Sequence, residues 1–183
     1  MDIATGMTAE EGLIRRAQAG DRVAFSELVA GQYDLIYRFA LKFSGRIEDA
    51  EDIAQQACIK LAQSIGRFRF ESALSTWLYT LVLSCARDWE KSQSKHRFPD
   101  SPLDDPHTVD TADEKIVYLG QVLDRIDAMG DGFREAIVLV VGEGMSHAEA
   151  ATILAVKEST VSWRVHEVRR RLGELAAEDT DER

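Results

Sequence analysis

No run of apolar residues in this sequence approaches the ~20 that a bilayer-spanning helix requires. The opening residues, Met1-Asp2-Ile3-Ala4-Thr5-Gly6, also lack the basic start and apolar stretch of an export signal. Membrane insertion and export are therefore not expected, and a cytoplasmic location is. Cysteine is scarce, with Cys58 and Cys85 the only two in 183 residues. Both fall on apolar faces of expected helices, so buried free thiols are expected rather than a disulfide scaffold or a zinc site. The histidines, His96, His107, His147 and His166, show no metal-ligand spacing, and no glycine-rich phosphate loop occurs. Ser146-His147 is better explained by helix capping than as a nucleophile and its base. These absences argue against an enzyme and against a bound cofactor.

Proline is equally rare, and its placement is informative. Pro99, Pro102 and Pro106 fall in one acidic stretch with few apolar residues, which marks a linker. Basic residues are the minority, 22 against 32 acids, for a formal charge of −10. Phosphates repel an acidic surface, so this total is awkward for a nucleic-acid binder. The distribution changes that reading. Residues 99–113 carry −5 and residues 173–183 carry −4, so the parts expected to fold are close to neutral. The expected layout is a helical module over 8–97, a linker over 98–113, a second module over 114–175, and flexible tails at 1–7 and 176–183.

Neither strand-like alternation nor an internal repeat is present, and the fold class is all-α. Thr8 with Glu11 forms a capping-box pattern that opens a short helix. Phe25, Leu28, Val29, Ile36, Phe39, Ala40 and Phe43 mark a second, long amphipathic helix, and Ile47, Ala50, Ile53, Ala54, Ala57, Leu61 and Ile65 a third. The third begins on its other face with Glu48, Asp49, Glu51 and Asp52, where acids suit the positive end of the helix dipole. Leu74, Trp77, Leu78, Leu81, Val82, Cys85 and Trp89 define a fourth helix, with Trp77 in phase with its core positions. Beyond the linker come apolar sets at Ile116, Leu119, Leu123 and Ile126, then at Phe133, Ile137, Val140 and Val141.

The last segment carries the most. Ser146 and Glu149 form a second capping box, followed by apolar Ala150, Ala151, Ile153 and Leu154. Glu158-Ser159-Thr160 offers another N-cap, after which Val161, Val165, Val168 and Leu172 recur at helical spacing. Small Ala151 and Ala155 sit where two crossing helices need close approach. This is the pattern of a helix-turn-helix, whose second helix can enter a DNA major groove. A helical hairpin packed in an ordinary core is the alternative.

Four blocks, in order, resemble the extracytoplasmic-function sigma factors of the sigma-70 class. Gly20-Asp21-Arg22-Val23-Ala24-Phe25-Ser26-Glu27-Leu28 is similar to their opening, and Asp49-Ala50-Glu51-Asp52-Ile53-Ala54-Gln55-Gln56 to their core-polymerase-binding signature. Phe68 to Tyr79 resembles the segment that opens and reads the −10 promoter element, and the helix-turn-helix resembles the −35 reader. The likeness spans about Thr8 to Leu172. It implies two small helical domains that bind core RNA polymerase through the β′ clamp helices and β flap, promoter DNA, and an anti-sigma factor under stress control. Asp49, Asp52, Gln55 and Gln56 are the implied core-binding residues, although an acidic helix face is more often merely solvated.

For the −10 element the candidates are Arg67, Phe68, Arg69, Phe70, Ser72, Ser75, Thr76, Arg87 and Lys91. Strand opening needs π-faces for unpaired bases, cations for phosphates and polar groups that read a base edge. For the −35 element they are Ser159, Thr160, Ser162, Trp163, Arg164, His166, Arg169 and Arg170. Arg164 can read guanine in a bidentate way, while Arg169, Arg170 and Arg171 suit phosphates. The family commonly carries Arg-Asn where Leu83-Ser84 stands and Lys-Ser where Ser162-Trp163 stands, with a basic residue near Glu167. These departures, with the net acidity, leave a second reading: a sigma-like decoy that sequesters an anti-sigma factor without reading promoters. The acidic linker is implied to thread the polymerase interior towards the RNA exit channel.

Overall fold

The first four free amides of a helix need acceptors, and this chain supplies them at its helix starts. Thr8 Oγ1 accepts from the Glu11 amide at 3.1 Å and opens α1 (Ala9–Gln18). Asp21 Oδ1 accepts from the Val23 and Ala24 amides and opens α2 (Arg22–Ser44), while Arg16 grips its other oxygen. Those amides and Arg16 hold the Asp21 carboxyl below the usual carboxylate range. In this computed structural model the described residues are 8–96 and 111–181. They continue with α3 (Ile47–Ser64), a 3-10 turn at Ile65–Arg67, α4 (Leu74–His96), α5 (Thr111–Asp127), α6 (Phe133–Ile137), α7 (His147–Leu154) and α8 (Glu158–Asp181). No strand occurs among the described residues.

Helices α1–α4 enclose Leu28, Ile36, Phe39, Phe43, Ile53, Leu61, Leu78 and Val82, all essentially without solvent contact. In the second half, Ile126, Phe133 and Val168 form one small cluster, with Leu172 packed against it. Leu123, Ala136, Leu139, Ala150, Ile153, Val161 and Val165 instead join the apolar core of the first half, so the two modules share a continuous interior. Glycine permits this junction. Gly45 ends α2 in the left-handed region at φ 69°, and a Cβ on it would lie 2.8 Å from the Gly120 Cα of α5. Two backbones touch there because neither residue has a side chain.

Several boundaries differ from the sequence-based expectation. Helix α5 begins at Thr111, inside the span assigned to the linker, and α8 runs through the expected tail to Asp181. The acidic, proline-bearing stretch at 97–110 lies outside the described residues. After Ile137 the chain widens into a π turn, Val138–Gly142, closed by the Glu143 amide on the Val138 carbonyl at 2.9 Å. The wider turn carries Val141 outward, and it is exposed rather than part of a continuous helical stripe. Ala155 does not mediate close approach. It is exposed and makes the left-handed cap of α7 at φ 53°, a conformation that costs a non-glycine residue energy. The expected N-cap at Glu158-Ser159-Thr160 shifts as well: α8 already includes these residues, and the Thr160 amide bonds the Lys157 carbonyl. Of the two thiols, Cys85 is buried and Cys58 half-buried, and burial raises the pKa of both.

The capping box of α7 is complete. Ser146 Oγ accepts from the Glu149 amide, and the Glu149 carboxylate accepts from the Ser146 amide at 2.8 Å. Replacing Ser146 with Ala is expected to cost about 1 kcal/mol, read as a lowered denaturation midpoint with unchanged slope; an unchanged midpoint would show that α7 is fixed by packing alone.

Candidate nucleic-acid and polymerase interfaces

Helix α3 buries Ala50, Ile53, Ala54, Ala57 and Leu61 on one side, which turns Asp52, Gln55 and Gln56 to solvent on the other. Ile59 continues this exposed stripe and is itself 46% exposed. An apolar residue in a polar stripe suits a protein contact, a signal that charge pattern alone did not reveal. Asp49 lies at the edge of the stripe, half-buried, and lines a cleft described below.

The segment after α3 divides the aromatic candidates. Phe68 is only 6% exposed and packs on Trp77 at 5.4 Å between ring centroids, so its ring belongs to the core and is no stacking surface. Extended backbone just after the 3-10 turn carries its side chain into the core. Trp77 also packs in the core, as its phase implied. Phe70 remains half-buried at the surface with φ 60°, a conformation unusual for a bulky residue. Around it Arg67, Arg69 and Ser72 are exposed, while Ser75 and Thr76 are half-buried at the start of α4. Leu83 is buried and Ser84 accepts from Lys60 at 2.7 Å, so α4 presents no cation at those two positions.

The helix-turn-helix is formed by α7 and α8. Val161, Val165 and Val168 face inward, and Ser159, Trp163, His166, Arg169 and Arg170 face solvent. Thr160 is half-buried. Ser162 is engaged across the turn by His147 Nδ1 at 2.8 Å. Trp163 leans on Phe133 at 5.3 Å while staying 56% exposed, which makes it a rigid aromatic projection. Arg164 packs its guanidinium over Gly132, where a Cβ would collide with it. Glu167 does not project alone, because Arg170 and Arg171 both bond its carboxylate. Those bonds lower its pKa to about 2. Arg170 also reaches Glu174 and is held protonated more firmly than a free arginine. Two of the expected phosphate-binding cations are thus already paired within their own helix.

A cleft of ≈ 680 Å³ opens beside the junction of the two halves, and Asp49, Arg87, Lys91 and Arg164 all line it. Candidates assigned to three different contacts therefore converge on one internal space. Three polar ties join the two halves. Lys42 Nζ donates to the Gly142 carbonyl at 2.7 Å and to Glu143, whose other oxygen accepts from the Tyr79 hydroxyl at 2.6 Å. Burial, and then the Glu143 contact, push the Tyr79 hydroxyl pKa up. Arg87 Nε donates to buried Glu135 at 3.0 Å. Arg134, itself buried, bonds Asp127 and donates to the Phe43 carbonyl at 2.6 Å, capping the end of α2. Burial raises the Glu90 carboxyl in this seam, opposed by Arg134.

With the Glu167 carboxylate kept ionised beside Arg170 and Arg171, phosphate competes with a carboxylate for both arginines. Glu167→Gln should free Arg171, leave Arg170 paired with Glu174 alone, and tighten binding of the chain to duplex DNA. Each freed arginine that gains a phosphate should steepen the log–log salt dependence by about 0.9. Fluorescence anisotropy across a salt series measures this, and an unchanged slope would show that neither arginine reaches the backbone.

Comparison with known proteins places these modules. The family model "Sigma-70 region 2" matches residues 28–96, and "Sigma-70, region 4" matches residues 119–172. The ECF RNA polymerase sigma factor SigM of Mycobacterium tuberculosis is 32% identical over 157 residues, covering 86% of this chain and 79% of that protein. The ECF RNA polymerase sigma-E factor of Escherichia coli is 28% identical, covering 87% and 90%. Among solved structures, CnrH in complex with the cytosolic domain of CnrY aligns with TM-score 0.70 at 24% identity, over 94% of this chain and 99% of that one. The sigma factor RpoE bound to the anti-sigma factor NepR from Bartonella quintana aligns with TM-score 0.57 at 26% identity, over 84% and 96%. With region 2 and region 4 both matched and the relatives aligned along most of their length, the chain belongs to the extracytoplasmic-function RNA polymerase sigma factors.

Proposed function

We propose that this sigma factor docks on core polymerase through the exposed stripe Asp52, Gln55, Gln56 and Ile59, with Asp49 at its edge. It opens the −10 region with the segment from Arg67 to Thr76, and reads the −35 element with the outer face of α8. The observation that carries this is the outward placement of Ser159, Trp163, His166, Arg169 and Arg170 over an inward valine stripe. Such a helix can lie in a major groove with its first turns at base edges. The nucleotide chemistry stays with the polymerase, so the chain acts as a cytoplasmic binding factor and not as an enzyme. No helix among the described residues is long and apolar enough to cross a membrane.

The closed packing is the resting form. With Arg87 bonded to Glu135, and Asp49, Lys91 and Arg164 lining one cleft, single members of the docking set and of both reading sets are engaged between the halves while the rest stay exposed. Region 4 must swing from region 2 before both promoter elements can be read at once. An anti-sigma protein, the partner in the solved complex of RpoE, would act by holding this closed form.

Run-off transcription with purified core polymerase tests the function. Initiation at a subset of genomic promoters is expected, and core binding without initiation at any of them would establish the decoy reading. Asp49→Lys with Asp52→Lys should weaken core binding at least about ten-fold, through repulsion of partner cations at the interface. Unchanged binding would remove the docking role. Gly120→Leu keeps a good helix former in α5 but forces a side chain between α5 and Gly45, whose carbonyl lies 3.3 Å from a Cβ at Gly120. Small-angle scattering should show a larger radius of gyration, and core should bind faster. Slower binding would show that polymerase takes the closed form instead.

A further inference from the structure

The −10 segment is held by more than its own neighbours in sequence. Its backbone is pinned from α1, a helix that precedes the matched sigma region 2 at residues 28–96. Gln18 Nε2 donates to the Ile65 carbonyl at 3.0 Å and to the Phe68 carbonyl at 2.8 Å, across some fifty residues of chain. The two bonds bracket the 3-10 turn and fix where the chain leaves it. Three residues back on α1, Arg15 lies with its guanidinium carbon 4.5 Å from the Phe70 ring centroid. Glu11, one turn back, orients Arg15 through a 2.7 Å bond. Phe68 meets the same ring edge-to-face at 4.9 Å.

Phe70 thus stands in a left-handed conformation with a buried ring against it on one side and a cation over it. A bulky residue keeps such a backbone only where its surroundings over-determine it. Gln18, Phe68 and Arg15 are those surroundings. An ordinary surface loop has no use for this expense. A segment that must present one ring at a set height for an unpaired base does.

We propose that Gln18 and Arg15 are positioning residues of the strand-reading site. Gln18 sets the path of the backbone from Ile65 to Phe68. Arg15 sets the plane of the Phe70 ring, so that an unpaired base of the single-stranded promoter DNA can stack beside it. Helix α1 is then part of the melting machinery and more than a lid on α2. This rests on the reading of residues 67–76 as the −10 segment, and the test separates the two.

The experiment uses holoenzyme and a single-stranded oligonucleotide carrying the −10 sequence, compared with the same strand made abasic one position at a time. Wild type should lose about ten-fold in affinity where the stacked base is removed, the scale of one base–aromatic stack. Phe70→Ala should abolish that penalty. Arg15→Ala and Gln18→Ala should bind the intact strand as weakly as the abasic one, with core affinity unchanged. Arg15→Lys should restore part of the difference, since an ammonium can also sit over a ring. If Phe70→Ala keeps the full abasic penalty, the reading of the segment fails. If Phe70→Ala abolishes it while Arg15→Ala and Gln18→Ala keep it, the role of α1 is overturned. Equal losses by Arg15→Ala on intact and abasic strands would make Arg15 a phosphate contact and refute its positioning role.

Discussion

A guanidinium buried between two halves of a protein must be fully paired, and this requirement at Arg134 shapes the junction. Leaving a buried charge without a partner costs several kcal/mol, whereas a well-paired one roughly offsets its own desolvation. Asp127 and the Phe43 carbonyl together answer Arg134, one from its own module and one from the other. The Phe43 carbonyl lies at the end of α2, whose negative dipole end favours a cation. Lys42 stands in the mirrored relation, donating to the carbonyl of Gly142 at the end of the π turn. Each half thus finishes a helix of the other.

A seam built from such contacts is selective about geometry and poor in net stabilisation. Water can replace each of them once the halves part, because helix ends and charged side chains are readily solvated. The apolar contribution is larger, since residues of both halves join one core. A sigma factor needs both properties. It must keep a short helical module folded while idle, yet release it without unfolding. Polar ties around an apolar junction give a definite arrangement, which the proposed resting form would have to leave.

Charge self-neutralisation runs through the chain in the same spirit. Arg170 and Arg171 share Glu167, Arg15 is held by Glu11, and Arg87 by Glu135. A reader whose cations are engaged at home gains little from nonspecific phosphate. Sequence-independent binding is mainly electrostatic, so such pairing suppresses wandering on DNA. Affinity must then come from tethering to the polymerase, where the module acts at high effective concentration.

Much of this was legible in the sequence, for identifiable reasons. The capping box at Ser146 and Glu149 and the valine stripe of α8 depend only on local spacing, and both stand as expected. The exposure of Asp52, Gln55 and Gln56 follows from the phase of the same helix. Phe68 was not legible, because two phenylalanines two residues apart look alike until the chain's path past the 3-10 turn is known. Gln18, Arg134 and Glu143 were equally hidden, since their partners lie roughly fifty to one hundred residues away. Helical periodicity carries no information about such distances. It also assumed an unbroken α-helical phase, which fails at Val138–Gly142.

A π turn holds one more residue than an α turn over the same hydrogen-bonded step, and each residue of an α-helix advances the direction of the chain by about 100°. The surplus residue therefore works as an angular offset, setting the bearing of α7 and α8 against the helices before them. Shortening the segment by one residue would let the helix close normally and would turn the reading surface to another compass point. The orientation of the DNA-facing helix is stored in this chain as a count of residues, several turns away from any residue that would touch a base.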